Sequence, residues 1–533
     1  MSISRLLTRK TRREFKDLTE VLSYQAEYSP SKPFIIFGQK RITFKELDFS
    51  AGRLAAFLSL QGVAKGDRVC LWMYNCPEFV ISYFAILKLG ATVVPINNMF
   101  KREEAKYIIE DAECGVLLFS PEKIEDCLNL NLRVASLDKI ISFSFSKEVY
   151  PEVADLYEAI DNNEVLGEKA EIDPDDLAEI LYTSGTTGKP KGACLSHKNL
   201  ISNVEDCRVI IRATAKDTFI CFLPLFHSFA STVCMLFPLY VGSSTVIFRA
   251  IRPFKRVLRS IRKNRITIFV GVPSIYSLLK DMKLPWILTT LLRPLFIPLR
   301  VCISGAAALP VNVAPVFERK LKVPLLEGYG LTETSPVATL NPLRGERKPG
   351  SIGLALPSVE LKVVNRSGEP LERGEIGELL IKGPNVMKGY FKMEQASAEV
   401  IEKGFLHTGD LARIDNQGYV YIEGRIKEMI NVRGLNVYPK EIEDVLYQLT
   451  FVKEAAVVGV NHPKKGEVPI GFVVLKDNQT SDSGQILKFL REHLAPFKVP
   501  LRIEFRDNLP KNTTGKILKY VLKQQLEAAL FSR

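Results

Sequence analysis

The chain has 533 residues, of which 46% are hydrophobic, 9% aromatic and 25% charged. This length exceeds what one hydrophobic core holds and predicts about three or four domains, while the apolar content excludes a disordered chain. The formal net charge of +12 favours anionic partners, from nucleotides and acidic proteins to membrane surfaces and nucleic acid, without choosing between them.

The cysteines and the apolar segments exclude several classes of protein. All nine cysteines lie at or before Cys302 and none forms a C-x-x-C pair, which excludes a disulfide framework and a zinc ligand set. They are interpreted as core residues in a reducing compartment. The apolar stretch 284–303 is interrupted by prolines and arginines, so no transmembrane helix is predicted. We expect a cytoplasmic protein, with peripheral contact to the inner face of a membrane as an alternative.

The first part of the chain alternates between helix and strand patterns. Helices are predicted from the capping box Thr43-Phe44-Lys45-Glu46, from Pro77, and over 102–111. Strand-like runs occur between them at 69–73, 92–96 and 115–119. Such alternation is typical of a parallel sheet that is covered by helices on both faces.

The stretch Tyr182–Gly192, which follows the mainly apolar run 177–182, concentrates hydroxyl groups, glycines and two lysines. Glycines let backbone N–H groups turn towards one point, and hydroxyls and ammonium groups add donors there, so the stretch predicts a polyphosphate-binding loop. It is not a Walker P-loop, because Gly188 is preceded by a glycine three residues earlier and Pro190 prevents a helix there. A flexible turn is the alternative, but it would not require two lysines at this spacing.

The remaining chain divides into three further blocks. Strand-like runs at 219–222, 244–248, 267–270 and 300–303 form a second alternating block. The predicted fold class is therefore α/β, with a large N-terminal domain (1–425) of two doubly wound sheets. Short glycine-rich β runs over about 350–421 predict a β-subdomain. Residues 428–533 predict a small, mobile α+β C-terminal domain.

A strongly basic stretch lies at 249–265, where apolar residues are interleaved with the charges. The simplest interpretation is a solvated helix face that covers the sheet. The alternative is a surface for anionic lipid or an acidic carrier protein. Nucleic acid is disfavoured, since no recognition motif accompanies the charge.

The loop at 182–192 resembles the phosphate loop of the adenylate-forming (AMP-dependent) synthetases and ligases. Further stretches resemble motifs of that family in the same order: Phe222–His227, Ser304–Ala307, Glu327–Glu333, His407–Asp410, Glu423–Glu428, Arg433–Glu443 and Leu509–Ile517. The resemblance extends from Leu18 to Lys519 and is greatest to long-chain fatty acyl-CoA synthetases and acyl–acyl carrier protein synthetases. Two departures are Ala193-Cys194 after the loop and Lys519, where arginine is frequent.

The resemblance implies a role for each matching residue. The implied catalytic residues are Lys516, Glu333 and His227. Glu333 and Thr187 are implied ligands of Mg²⁺, Lys427 is the implied hinge between the two domains, and Gly434 would line the thiol tunnel. The implied nucleotide-binding residues are Thr183, Ser184, Gly185, Thr186, Thr187, Gly188, Lys189, Lys191, Gly305, Tyr329, Gly330, Thr332, Asp410 and Arg425.

The implied activity is an ATP-dependent ligase that converts a carboxylic acid into an acyl-AMP and passes the acyl group to the thiol of coenzyme A. The apolar runs 226–240 and 269–276 favour a fatty acid, with aryl acids as an alternative. No carrier domain follows in this sequence, so the thiol is expected from coenzyme A or a separate acyl carrier protein. A non-catalytic nucleotide- or lipid-binding relative is the remaining alternative, and the presence of Lys516, Glu333 and Asp410 argues against it. A luciferase-type oxygenase would use the same adenylating residues.

Overall fold

The structure is a computed structural model and describes residues 14–167, 170–183, 190–282, 298–432, 435–462, 466–512 and 515–531. Its helices are α1 (Leu18–Tyr28), α2 (Phe44–Leu60), α3 (Pro77–Lys88), α4 (Arg102–Asp111), α5 (Ile124–Arg133), α6 (Leu156–Asp161), α7 (His197–Ile211), α8 (Ser228–Ala230), α9 (Phe237–Tyr240), α10 (Phe254–Lys263), α11 (Pro273–Asp281), α12 (Val313–Leu321), α13 (Glu394–Val400), α14 (Pro439–Leu446), α15 (Ser483–His493) and α16 (Lys519–Phe531). A π-helix over Ser231–Leu236 joins α8 to α9, and short 3-10 turns include Thr332–Thr334 and Ile426–Glu428.

The strands of the large domain are β1 (Pro33–Phe37), β2 (Lys40–Thr43), β3 (Arg68–Trp72), β4 (Thr92–Pro95), β5 (Val116–Phe119), β6 (Lys139–Ser142), β7 (Ala154–Asp155), β8 (Leu177–Thr183), β9 (Lys191–Ser196), β10 (Thr218–Cys221), β11 (Ser244–Ile247), β12 (Ile268–Gly271), β13 (Val301–Ser304), β14 (Leu325–Gly330), β15 (Val337–Leu340), β16 (Leu354–Ala355), β17 (Glu360–Val364), β18 (Gly377–Lys382), β19 (Gly389–Tyr390), β20 (Ile401–Glu402), β21 (Phe405–Ile414) and β22 (Val420–Arg425). The remaining strands are β23 (Ile430–Val432), β24 (Leu435–Val437), β25 (Val452–His462), β26 (Gly466–Leu475) and β27 (Ile503–Phe505).

Two large sheets form the body of the protein, as predicted. A nine-stranded sheet has the order β16-β15-β14-β13-β12-β10-β11-β1-β2, and an eight-stranded sheet has the order β19-β9-β8-β4-β3-β5-β6-β7. Their central strands are parallel, and antiparallel pairs close the ends that hold β15, β2 and β9. The two sheets are not simply the first and second blocks of the chain. The N-terminal β1 pairs with β11 of the later block, while β8 and β9 join the earlier one.

Helix α3 is part of the hydrophobic core that the two large sheets share. It begins at Pro77 as predicted, and every residue from Pro77 to Leu87 is buried. Its large side chains include Phe79, Tyr83 and Phe84, each fully buried. These residues belong to a hydrophobic cluster that also contains side chains of both sheets. A helix that is apolar on all sides is stable only when protein surrounds it completely.

The β-subdomain and the small domain follow in sequence. Strands β17, β18, β21 and β20 form an antiparallel sheet, and β22 pairs with β21. Strands β23 to β27 form the sheet of the small domain, which has two hydrophobic clusters of its own. The predicted α+β class of this domain is therefore confirmed. The boundaries 1–425 and 428–533, with a hinge at Lys427, remain predictions.

Two sequence expectations concern the chain as a whole. All nine cysteines are buried and unpaired, as expected of core residues. Within the described ranges, no helix combines the length and the apolar character that crossing a membrane would require.

Candidate active site

Asp410 is the centre of a polar group on the β-subdomain side of the cleft. Tyr329, at the end of β14, donates a 2.5 Å hydrogen bond from Oη to Asp410 Oδ2. Arg425, the last residue of β22, lies opposite Asp410 in the strand register, and its Nε is 2.9 Å from Asp410 Oδ1. Asp410 is 3% exposed, and burial together with its negative charge raises the pKa of Tyr329. Each carboxylate oxygen keeps lone-pair capacity beyond these bonds, so the group suits hydroxyl donors such as those of a ribose.

Glu333 lies in the short 3-10 turn after β14, close to Tyr390 of β19 in the eight-stranded sheet. Tyr390 donates a 2.9 Å hydrogen bond from Oη to Glu333 Oε1. The ammonium of Lys191 lies 5.0 Å from the centre of the Tyr390 ring, a cation–π distance. Thr332 Oγ1 is 3.5 Å from Ser228 Oγ. Tyr390 therefore connects the predicted metal ligand to the strand that leaves the phosphate loop.

The residues present fit a magnesium ion held mainly by substrate. Among the described residues, no three or more His, Cys, Asp or Glu side chains cluster as a metal site. Mg²⁺ typically takes one or two protein carboxylates and completes its octahedron with phosphate oxygens and water. Glu333 would supply such a carboxylate, and the other predicted ligand, Thr187, lies outside the described residues.

The two ends of the predicted phosphate loop are held side by side. Thr183 pairs with Lys191 across β8 and β9, and Thr183 Oγ1 is 3.4 Å from the Lys191 carbonyl oxygen. Tyr107 Oη donates to the Pro190 carbonyl at 3.2 Å. The predicted loop residues that lie outside the described part of the chain are Ser184, Gly185, Thr186, Thr187, Gly188 and Lys189.

Two predicted glycines are required by close packing. A Cβ at Gly330 would lie 1.7 Å from the Pro336 carbonyl oxygen, so no other residue fits there without a backbone shift. A Cβ at Gly305 would lie 2.8 Å from the ring of Phe229. The space beside Gly305 is thus taken by a protein side chain, and its role beside a nucleotide base stays a prediction.

His227 is a neutral imidazole next to the start of α8. Its Nδ1 accepts a 3.3 Å hydrogen bond from the Phe229 N–H. Burial and, to a lesser extent, the positive charge of Lys516 together lower the pKa of His227 to about 4. An uncharged ring there can accept or donate one hydrogen bond without adding a second cation beside Lys516.

The small domain carries Lys516 into the same cleft. The N–H of Lys516 donates to Asn512 Oδ1 at 2.9 Å, and Gly515 precedes it at φ +84°, where a side chain would be strained. The Lys516 side chain still reaches solvent, but the protein atoms around its ammonium lower its pKa, and the charge of Arg425 lowers it further. The structure thus brings Lys516 within electrostatic reach of His227, Arg425 and Asp410.

Two further residues were predicted, Lys427 and Gly434. Lys427 is in the 3-10 turn Ile426–Glu428, directly after β22. Gly434 lies outside the described residues. The sequence motifs do not include Tyr390, and Lys519 stands out in the sequence only as a departure from the family pattern. The signal available for Lys519 is its position three residues after Lys516.

The fold has two α/β sheets and a β-subdomain, and a separate domain brings a lysine to their cleft. This combination defines the class of adenylate-forming enzymes. The chain belongs to the AMP-binding enzyme family. The family model of the AMP-binding enzyme matches residues 22–391 of the sequence. The family model of the AMP-binding enzyme C-terminal domain matches residues 441–516.

Full-length relatives support the same assignment. The chain is 35% identical to a long-chain-fatty-acid–CoA ligase of Bacillus subtilis (strain 168), covering 96% of this chain and 94% of that one. It is 33% identical to a feruloyl-CoA synthase of Amycolatopsis sp, covering 93% and 96%. Among solved structures, ATP-bound MatB from Rhodopseudomonas palustris aligns with a TM-score of 0.87 at 34% identity, over 96% of this chain and 99% of that one. The anthranilate CoA ligase AuaEII with anthranoyl-AMP aligns with a TM-score of 0.90 at 28% identity, over 97% and 99%.

The predicted family and fold class are confirmed by these matches. The protein is an adenylate-forming acid–CoA ligase, and its substrates and cofactor are ATP, coenzyme A and Mg²⁺, as predicted.

Proposed function

We propose that the acid is a fatty acid and that the protein is a fatty acyl-CoA ligase. The observation that carries the proposal is the identity of about one third, over nearly the whole chain, to proteins named long-chain-fatty-acid–CoA ligase. The segment after His227 is consistent with it in composition, because Phe229, Val233, Met235 and Phe237 lie there, although all four are packed against protein in this structure. A hydrocarbon chain would be stabilised by about 0.8 kcal/mol for each methylene group removed from water.

The first half-reaction would use both domains. A carboxylate oxygen of the acid attacks the α-phosphorus of ATP, the bond to the bridging oxygen breaks, and pyrophosphate leaves with that electron pair. Negative charge spreads over the phosphoryl oxygens, so positioned cations are the main catalytic requirement. Lys516 would hold the carboxylate and the α-phosphate together. Mg²⁺ bound at Glu333 would neutralise charge on the triphosphate.

The nucleotide would be held by the residues already described. Asp410 and Arg425 would bind the ribose hydroxyls and Tyr329 would stack on adenine. Gly305, Gly330 and Thr332 would line the nucleotide site, and the loop between Thr183 and Lys191 would hold the leaving phosphates. His227, as a neutral ring, would orient the carboxylate by a hydrogen bond.

The second half-reaction would follow rotation of the small domain about Lys427. Lys516 would leave the cleft and Gly434 would approach it. The thiol sulfur of coenzyme A would attack the acyl carbon, the carbon–oxygen bond to AMP would break, and the thiol proton would pass to solvent. No nucleophile of the protein is needed.

The substrate is tested by acid-dependent release of AMP from ATP with a panel of fatty and aryl acids. Coenzyme A and holo-acyl carrier protein would be offered as rival thiols. Turnover of fatty acids with coenzyme A supports the proposal. A preference for aryl acids would show that the substrate is an aryl acid and not a fatty acid. Turnover only with the carrier protein would show that the thiol acceptor is the carrier protein and not coenzyme A.

We further propose that the basic face of α10 contacts anionic lipid. Val257 and Ile261 face the core, while the exposed residues are Lys255, Arg256, Arg259, Arg262 and Lys263. Each basic residue near an anionic membrane contributes about 1 kcal/mol to the free energy of membrane binding, and the attraction falls with added salt.

Sedimentation with phosphatidylcholine vesicles, with and without phosphatidylglycerol, tests the proposed lipid contact of α10. Binding that needs phosphatidylglycerol and is lost in the double variant Lys255→Glu/Arg259→Glu supports it, and equal binding to both vesicles overturns it.

A further inference from the structure

Lys519, the first residue of α16, is held between two carboxylates. Its Nζ is 3.1 Å from Glu428 Oε2 and 2.8 Å from Glu443 Oε1. The side chain of Lys519 is 19% exposed. Burial alone would lower the pKa of Lys519, but the two carboxylates reverse this and raise it. The side chain is therefore a permanent cation that fixes three separate elements.

These elements meet at the domain junction. Glu428 closes the 3-10 turn that contains the predicted hinge Lys427. Glu443 lies on α14, and its Oε1 also accepts a 2.7 Å hydrogen bond from the Val457 N–H of β25. Lys519 lies three residues after Lys516, where the loop that carries Lys516 enters α16. The two ion pairs thus tie the loop that carries Lys516 to the segment that follows the hinge.

The signs of the charges alternate from the nucleotide side of the cleft into the small domain. Asp410 pairs with Arg425 at 2.9 Å, and Arg425 acts on Glu428, which pairs with Lys519. Although burial would raise the pKa of Glu428, Lys519, Lys516 and Arg425 together hold it below its usual value. An ionised Glu428 therefore faces cations of both domains.

We infer that Lys519 is a positioning residue that, through Glu428, holds Lys516 in place for the adenylating step. The inference rests on the proposed role of Lys516. Glu428, Glu443 and Lys519 all follow the predicted hinge, so they would move together with Lys516. Arg425 and Asp410 precede the hinge and would stay behind. The attraction between Glu428 and Arg425 therefore belongs to the arrangement in which Lys516 is in the cleft.

The test compares the two half-reactions in Lys519→Met and Lys519→Arg. A displacement of about 1 Å can cost about 100-fold in rate, so we expect Lys519→Met to lower kcat of acid-dependent ATP–pyrophosphate exchange by about 10- to 100-fold. KM for ATP and the thiolation of supplied acyl-AMP should stay near the wild-type values. Lys519→Arg should restore most of the exchange, because a guanidinium can bridge two carboxylates.

Lys498→Met is the matched control. Lys498 pairs with Glu441, also of the small domain, at 2.6 Å. The variant Lys498→Met should leave both half-reactions unchanged.

A second readout is the alkaline limb of the pH profile of the exchange reaction, which reports loss of the Lys516 proton. Lys519 lowers the pKa of Lys516, as Arg425 does, while Asp410 and Glu428 raise it. Lys519→Met should therefore move this limb to higher pH.

Three outcomes would overturn the inference. They are equal loss of both half-reactions in Lys519→Met, unchanged exchange, and an alkaline limb that does not move. Failure of the underlying role is recognised separately: if Lys516→Ala keeps full exchange, Lys516 itself has no part in adenylation.

Discussion

Tyr390 donates its hydroxyl hydrogen to Glu333, although the two residues are 57 positions apart in the chain. Residues that orient a metal ligand typically change metal affinity by about 10- to 100-fold when they are removed. We expect Tyr390→Phe to raise the Mg²⁺ concentration needed for half-maximal ATP–pyrophosphate exchange by about tenfold. Tyr419→Phe is the control, since Tyr419 Oη bonds the Glu346 carbonyl instead. An unchanged Mg²⁺ requirement in Tyr390→Phe would show that Tyr390 does not contribute to Mg²⁺ binding.

Lys516→Ala should abolish formation of the acyl-adenylate and spare thiolation of supplied acyl-AMP. The reason is that, in the proposed mechanism, the lysine acts at the α-phosphate and not at the thioester bond. Separate assays of ATP–pyrophosphate exchange and of acyl-CoA formation from acyl-AMP measure the two steps. Equal loss in both would contradict a two-step use of the small domain.

Asp410→Asn should weaken nucleotide binding and lower stability. It leaves Arg425 without its buried partner, and breaking such a pair costs about 3–5 kcal/mol, an upper figure here because Arg425 is partly exposed. AMP titration by calorimetry and thermal unfolding measure the two effects. Asp415→Asn, which removes an ion pair with Lys348 outside the cleft, should lower stability only slightly and leave AMP binding intact.

Glu179 on β8 is fully buried, and burial raises its pKa to about 8. An unfolded chain ionises this residue near pH 4.5, so the folded state binds the extra proton between pH 4.5 and 8. Stability from this residue is complete below pH 4.5 and is lost as the pH rises to about 8, by an amount on the order of 4 kcal/mol.

Glu179→Gln cannot ionise, so its free energy of unfolding should fall less than that of the wild type between pH 5 and 8.5. Urea unfolding across this range gives the comparison. Glu360→Gln, at an exposed position of β17, should follow the wild-type curve. Parallel curves for Glu179→Gln and wild type would show that the buried carboxyl does not titrate in this range.

His227 should remain neutral in the wild type throughout the range from pH 5 upward, because burial and Lys516 hold its pKa near 4. Lys516→Ala removes one of these causes, so the pKa of His227 should rise towards its usual value of 6.5. NMR of selectively labelled histidine, assigned with His227→Gln, measures the change. If the pKa of His227 is the same in both proteins, the charge of Lys516 does not act on His227.

Local signals predicted much of the fold. The helix over 102–111 and the helix starts at Phe44 and Pro77 lie where capping and proline signals placed them. The pairing of β1 with β11 could not be predicted, because it joins segments about 200 residues apart and depends on packing between sheets. For the same reason the motifs identified Glu333 but not its partner Tyr390. Glu179 lies in a run that is otherwise mainly apolar, and only the structure shows that its carboxyl group is buried in the core.

Helix α3 belongs to one hydrophobic cluster with side chains of both large sheets, whereas the small domain has clusters of its own. We therefore expect the two sheets to melt together, since separating them would expose the apolar surface that they share. Calorimetry should resolve one cooperative transition for the whole large domain and a distinct one for the small domain. Cutting the chain between the sheets, for example near residue 213, should leave fragments that aggregate unless they are refolded together.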